Sequence, residues 1–358
     1  MAHMDIFKND AFSMGQLTGA VTKVPYRPSL LGAMGLFRKM PIRTEFFEIE
    51  EKDGTLSVIQ TSQRGAPLEQ NRRDRRKLRR FDTVRLAKGD RIKAAEVAGV
   101  RAFGSETELM GVQQLVAEKQ AQLRDDLELT FEMHRLGALQ GVLLDADGTV
   151  LYNWFDEFGI SAPAAIDFNL DTPTTDIEKL IRVEVIRKMQ TVSKGAWIPG
   201  TSVTALCGDV FFDKLTNHKT VRETYLNYTA AANLRAMGGV ASQGPEGSFF
   251  EFSYGGVRFI NYRGTDNFSD GATAGVESIG IKSDEAKFFP VGARDVFQMA
   301  MSPGEGMNDV NQPGRKVYSE LELEKRANPR FADIEIYSYP LFICTRPEML
   351  MKAEADAA

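Results

Sequence analysis

Two carboxylates at the end of an apolar run are the first chemistry this chain offers. In Val142-Leu-Leu-Asp145-Ala-Asp147-Gly-Thr-Val, Asp145 directly follows three apolar residues and Asp147 stands two positions on. At the tip of a strand, such a pair can supply a nucleophile and an acid/base for its leaving group. A second acidic pair, in Gly208-Asp209-Val-Phe-Phe-Asp213, has the residue types of a magnesium site. Beyond His3 the only histidines are His134 and His218, and neither has a ligand partner at helical spacing, so both read as structural. Cys207 and Cys344 fit no CxxC or Cys/His spacing, which argues against a zinc site or a disulfide framework and fits a cytoplasmic origin. No GxSxG and no P-loop occur, and no cofactor is expected.

The elements around the acidic pair decide how it reads. The two motifs resemble the first and fourth motifs of the haloacid-dehalogenase-type phosphohydrolases. In that family the nucleophile ends the first central strand of a Rossmann-like domain and leads into a loop and helix. Here Thr149-Val-Leu-Tyr152 reads as a returning strand, so Asp145 and Asp147 are expected in an Asp-Gly hairpin turn. No strand ending in Ser or Thr and followed by a suitable Lys lies between the motifs, and the intervening stretch holds few βα units. The expectation is a protein with no catalytic residues, and a magnesium-dependent phosphohydrolase using Asp145 and Asp147 stands as the alternative.

The 358 residues correspond to two or three domains. A hydrophobic share of 43% beside 26% charged residues is a globular mixture and excludes disordered, collagen-like and coiled-coil chains. With 44 basic and 49 acidic residues the formal charge is -5, which excludes a uniformly basic nucleic-acid binder. No apolar run approaches 18 residues, and Asp5, Lys8 and Asp10 interrupt any signal-peptide core, so neither a membrane span nor secretion is expected.

Along the chain, the first 45 residues mix apolar positions with Gly and Pro and read as an extended arm. Thr44 to Gln60 has a strand pattern (Phe47, Ile49, Leu56, Val58) around Lys52-Asp53-Gly54, which predicts a hairpin. Ser105 to Gln140 carries the strongest helical signal, with a capping box at Ser105 and Glu108. At about 1.5 Å per residue that helix would be roughly 50 Å long and should run along a domain like a spine. Thr174-Thr-Asp-Ile-Glu178 starts a second helix that runs to about Val192. A buried strand is expected at Ser202 to Cys207, then a helix from Asp209 to about Asn217 and a hairpin from Phe249 to Tyr262 around Gly255-Gly256. Strands Lys316 to Glu324 and Ile334 to Thr345 follow.

Charge is distributed unevenly. From Arg64 to Lys93 twelve basic residues face four acids, a window of +8 in a chain whose remainder is -13. A solvated face of that density is unusual, and a nucleic-acid arm would interleave aromatics where this window has only Phe81. The preferred reading is an inter-subunit loop whose arginines meet the acids of a neighbouring copy. Its interface candidates are Arg64, Arg72, Arg73, Arg75, Arg76, Lys77, Arg79, Arg80 and Arg85.

Arm, charged hairpin, spine helix, Asp-Gly hairpin, α/β domain and returning strands, in that order, resemble the major capsid proteins of tailed double-stranded DNA bacteriophages. The resemblance is to the Hong Kong 97-like fold and, most closely, to the lambda-type major head proteins. Local signatures support it: Pro28-Ser-Leu-Leu-Gly-Ala-Met-Gly-Leu-Phe37, Ala205-Leu-Cys-Gly-Asp-Val-Phe-Phe-Asp-Lys-Leu-Thr-Asn-His218, Phe252-Ser-Tyr-Gly-Gly-Val-Arg-Phe259 and Tyr339-Pro-Leu-Phe-Ile-Cys-Thr-Arg-Pro-Glu348.

The resemblance implies an α+β fold with an N-terminal arm (1–43), an extended loop (44–96), a peripheral domain (97–167 and 311–358) and an axial domain (168–310). It also implies self-assembly into hexamers and pentamers of an icosahedral shell, in a virion assembled in the host cytoplasm. The implied partners are scaffold, portal and decoration proteins, and packaged DNA held without sequence specificity. An encapsulin-like compartment shares the fold and is a further alternative.

Overall fold

The computed structural model of the chain describes residues 29–52, 76–93, 108–227, 251–262, 280–324 and 330–356. A short helix α1 (Leu30–Met34) ends on left-handed Gly35 and leads into β1 (Arg38–Pro41). β2 (Phe46–Lys52) and β3 (Arg76–Asp82) form an antiparallel ribbon, with Phe46 opposite Asp82 and Lys52 opposite Arg76. β4 (Leu86–Lys93) then joins a different sheet.

The spine helix α2 (Glu108–Gln140) has 33 residues. Leu123, Leu127 and Phe131 are buried at four-residue spacing, so one face is held against the body for much of its length. It stops at Gly141, where φ is +85° and a Cβ would collide with the Phe155 ring, so glycine is required. β5 (Val142–Leu144) and β6 (Val150–Asn153) form the next hairpin, followed by α3 (Trp154–Phe158) and β7 (Ile166–Asp167).

Helix α4 begins at Ile177–Leu180, widens into a π-helical stretch at Ile181–Arg187 and closes with Lys188–Val192. Its start is fixed by Asp176, whose carboxylate accepts from the Lys179 amide at 3.0 Å. Then come β8 (Ser202–Cys207), α5 (Asp209–Asn217), α6 (Lys219–Asn227), β9 (Glu251–Tyr254) and β10 (Val257–Asn261). β11 (Glu285–Val291), β12 (Phe297–Met301), β13 (Tyr318–Leu323), β14 (Phe331–Ser338), β15 (Pro340–Cys344) and β16 (Met351–Glu354) complete the described elements.

A mixed six-stranded sheet runs β7-β16-β11-β8-β10-β9, and two three-stranded sheets run β1-β12-β15 and β13-β14-β4. The main core extends from Leu31 and Phe47 through Trp154, Phe211 and Phe288 to Ala353. A second core lies where α2 crosses the sheet of β4 and β14, around Ile92, Leu127, Phe131, Ile334 and Ile336.

The α+β class and the order of elements agree with expectation, and three particulars differ. Within the described residues β2 pairs with Arg76–Asp82, a partner the sequence did not indicate, while the hairpin expected around Lys52-Asp53-Gly54 falls on 53–75, outside the described residues, as does the Ser105 cap. The single strand expected over Ile334 to Thr345 is two. Pro340 has no N–H to continue a ladder, and the chain changes sheets there. Finally, β16 lies between β7 and β11, so residues 351–354 and 166–167, both within the expected peripheral bounds, join a sheet whose other four strands fall in the expected axial segment.

Candidate functional site

The acidic pair is a turn. Asp145 N donates to Thr149 O at 2.8 Å and Gly148 N to Asp145 O at 3.0 Å, closing the β5–β6 hairpin. The Asp147 carboxylate accepts from the Thr149 amide at 2.9 Å, and bonds from that residue hold its carboxyl below the usual range. The chain returns antiparallel after Asp147, where a phosphohydrolase nucleophile would lead into a helix. Asp209 is engaged by Asn261, whose side-chain amide donates to it at 2.8 Å.

His134 is buried beside Phe342, and burial brings it down to about 4, so it is neutral at physiological pH. His218 bridges the Thr172 carbonyl and the Thr220 hydroxyl, at 3.0 and 2.8 Å. Both cysteines are buried with thiols pushed up by burial, far from the thiolate that reactivity needs.

The basic window has a more specific geometry. Arg76, Lys77, Arg79 and Arg80 lie on β3 and Arg85 lies between β3 and β4, whereas Arg64, Arg72, Arg73 and Arg75 lie outside the described residues. β2 sets its own acids against β3, Glu48 opposite Arg80 and Glu51 opposite Lys77. Cross-strand pairs of opposite charge contribute about 0.2 to 1 kcal/mol each. Counted over 44–96, the loop holds 13 basic and 10 acidic residues, a net +3 against the +8 of the narrower window.

Alternation along β3 separates two faces. Arg79 and Phe81 share the inner face, where Phe81 is buried, while Leu78 and Arg80 share the outer face, where Leu78 is 63% exposed. The Arg80 guanidinium stacks 3.7 Å from the Phe46 ring centre. Arg85 reaches Glu305 at 2.7 Å within the same chain. Further along, Lys88 bonds Asp126, and Arg91 bonds Asp333 through two nitrogens, so β4 uses its cations to hold the spine helix and β14.

The site residue that sequence reasoning missed is Glu132. This fully buried carboxylate of α2 accepts from the Leu31 and Gly32 amides, at 2.6 and 2.9 Å, and from Arg135 at 3.0 Å. Burial raises its carboxyl, and the amides and the guanidinium act against that rise. A Cβ at Gly32 would stand 2.9 Å from the Arg135 guanidinium, so a small residue lets α1 approach. A glutamate on the apolar stripe of a long helix was the available signal.

Residues 13–355 match the family model described as phage major capsid protein E. The major capsid protein of Salmonella phage Felix O1 (isolate Felix O1-VT1) is 29% identical over 359 residues, covering 97% of each chain. The major capsid protein of Pseudomonas phage KPP10 is 28% identical over 350 residues, covering 96% of this chain and 97% of its own. Among solved structures, the capsid of Cyanophage P-SCSP1u gives a TM-score of 0.49 at 10% identity, covering 95% of this chain and 92% of that one. The capsid of Myoviridae Phage XM1 gives 0.46 at 11% identity, with 94% of each chain covered. With the family model matched over nearly its whole length, this chain belongs to the phage major capsid protein E family.

Proposed function

We propose that the chain is the repeating subunit of the icosahedral head of a tailed phage or prophage, assembling with copies of itself into hexamers and pentamers around double-stranded DNA. The family match over residues 13–355 carries this reading. It makes the chain a structural capsid protein and not an enzyme, in keeping with the turn geometry of Asp145 and Asp147.

The four regions take the bounds 1–43, 44–96, 97–167 with 311–358, and 168–310. The ribbon exposes Leu78 between arginines and has too little apolar area to stand alone, so it orders best against other copies. Arg64, Arg72, Arg73, Arg75, Arg76, Lys77 and Arg80 are the cations offered to neighbours. Each exposed ion pair contributes only about 0 to 1 kcal/mol, and repetition over many identical contacts makes a shell stable. A chain of net charge -5, and -13 outside the basic window, lets packaged DNA move, because a basic inner wall would bind phosphates strongly.

Scaffold, portal and decoration proteins are further partners of such a head, and host cytoplasm is its place of assembly. Among the described residues no helix is long and apolar enough to cross a membrane.

Electron microscopy of the purified protein is the test. Shells, capsomers or tubes are expected, and monomers under every condition overturn the reading. Arg75→Glu with Arg76→Glu is expected to leave the monomer folded and block assembly. Arg76 lies opposite Lys52, so its reversal sets no like charges face to face across the ribbon.

A further inference from the structure

We propose that Arg79 is a positioning residue, a clamp at the base of the β2–β3 ribbon that fixes the angle at which the ribbon leaves its own subunit and so the curvature of the assembly. This rests on the head-subunit reading above. Its direction is opposite to that of the adjacent Arg80, whose guanidinium lies on the outer face over Phe46.

The geometry is specific. The Arg79 guanidinium donates to the main-chain carbonyls of Glu157 and Phe158, the second at 3.2 Å, and stands 5.2 Å from the Phe158 ring centre. Those carbonyls end α3, where a helix leaves its last acceptors without partners in its own ladder. A guanidinium can bridge two successive oxygens because its donors form a rigid fork, which the single ammonium of lysine cannot reproduce.

Two residues on, Phe81 packs edge-on against Trp154 at 5.4 Å and Tyr152 at 5.9 Å. The Tyr152 hydroxyl then donates to Asp82 O at 2.9 Å and accepts from Asp82 N at 3.0 Å, pinning the last residue of β3. Tyr152 itself stacks on buried Trp154, with ring planes 7° apart. The ribbon base is thus fixed on one rigid aromatic block by three successive devices on its inner face.

Leverage explains why this matters. At about 3.3 Å per residue, β3 carries Arg76 roughly 20 Å from Asp82, so a tilt of about 10° at the base displaces that point by roughly 3 Å. A displacement of that size moves charged contacts out of hydrogen-bond range. Copies whose ribbons vary in angle would still meet one another, but at varying angles between subunits. The clamp therefore selects one curvature and is not itself a contact between subunits.

The experiment compares wild type, Arg79→Ala, Arg79→Lys and Tyr152→Phe by circular dichroism and by electron-microscopic diameter distributions of assembled particles. The expected result is folded Arg79→Ala protein that still assembles but loses the single shell diameter, giving mixed diameters, open sheets or tubes. Arg79→Lys should restore the distribution only in part, and Tyr152→Phe, which keeps the aromatic packing, should broaden it less. Shells of wild-type diameter from Arg79→Ala overturn the clamp and leave the head-subunit reading standing. Folded Arg79→Ala monomers that never assemble overturn it too, since they would make Arg79 a subunit contact. If Arg79→Ala does not fold, Tyr152→Phe decides alone, and an unchanged distribution counts against the clamp. Wild-type protein that forms no particles overturns the head-subunit reading and the clamp with it.

Discussion

The β2–β3 ribbon and the six-stranded sheet are built from similar lengths of strand and have opposite needs. In the sheet, β8 buries every residue from Val203 to Cys207, and β11 buries Phe288 and Phe289 completely. Among the described residues of the ribbon, Phe47 and Phe81 are the buried ones, both at the end nearest the body, and Leu78 faces solvent. The sheet is satisfied by its own chain. The ribbon sets Glu48 opposite Arg80 and, among the described residues, pairs its two strands only with each other, leaving Leu78 exposed.

Phe288→Ala in β11 should make the largest difference, about 3 to 5 kcal/mol of monomer stability by chemical denaturation, because it opens a cavity in a closed core. A much smaller loss would mean that the sheet is less independent than its burial indicates.

Acid should act on the sheet next. Burial raises the Glu285 carboxyl, but bonds from Lys352 and Lys287 outweigh it and bring the group down to about 2. A group whose folded value is depressed adds stability above its unfolded value, and that stability disappears as pH falls through the folded one. The loss should therefore lie between about pH 4.5 and 2 and amount to no more than about 3 kcal/mol. Unfolding curves of Glu285→Gln taken through this range should lack that component, and identical curves would remove Glu285 from the account.

Glu132→Gln should follow, at about 1 to 3 kcal/mol, since an amide accepts less strongly from Leu31, Gly32 and Arg135 than a carboxylate does. Faster hydrogen exchange at the Leu31 and Gly32 amides is the readout, and unchanged protection would show that α1 is held by packing alone. Leu78→Ala should do least to the monomer, within about 0.5 kcal/mol, while slowing assembly followed by light scattering. Equal effects of Leu78→Ala and Phe288→Ala on monomer unfolding would abolish the distinction between the two regions.

The local setting of the candidate residues was legible in outline. A dense basic stretch on a projecting loop is where Arg76, Lys77 and Arg80 are found, and the Asp-Gly turn holds Asp145 and Asp147 as its spacing implied. The orientation of single residues was not legible. Arg79 and Arg80 are adjacent and chemically identical, yet one clamps its own α3 and the other stacks outward on Phe46. Period-two alternation predicts that they face opposite ways, but which of them faces the body depends on where the body lies. Likewise, the +8 of Arg64 to Lys93 omitted Glu48 and Glu51, because their pairing with β3 joins segments more than twenty residues apart.

By itself the sequence determined the local grammar of this protein: the long helical run of α2 as far as Gln140, the Asp-Gly turn, the buried strand Ser202–Cys207 and the order of elements. These follow from side-chain periodicity and backbone freedom within a few residues. Only the tertiary structure decided that β2 takes Arg76–Asp82 as partner, that Phe331 to Cys344 is divided between two sheets, that Met351–Glu354 completes the six-stranded sheet and that Glu132 is buried under α1. Strand pairing and the burial of a charge depend on which distant surfaces meet, a property of the packed chain as a whole.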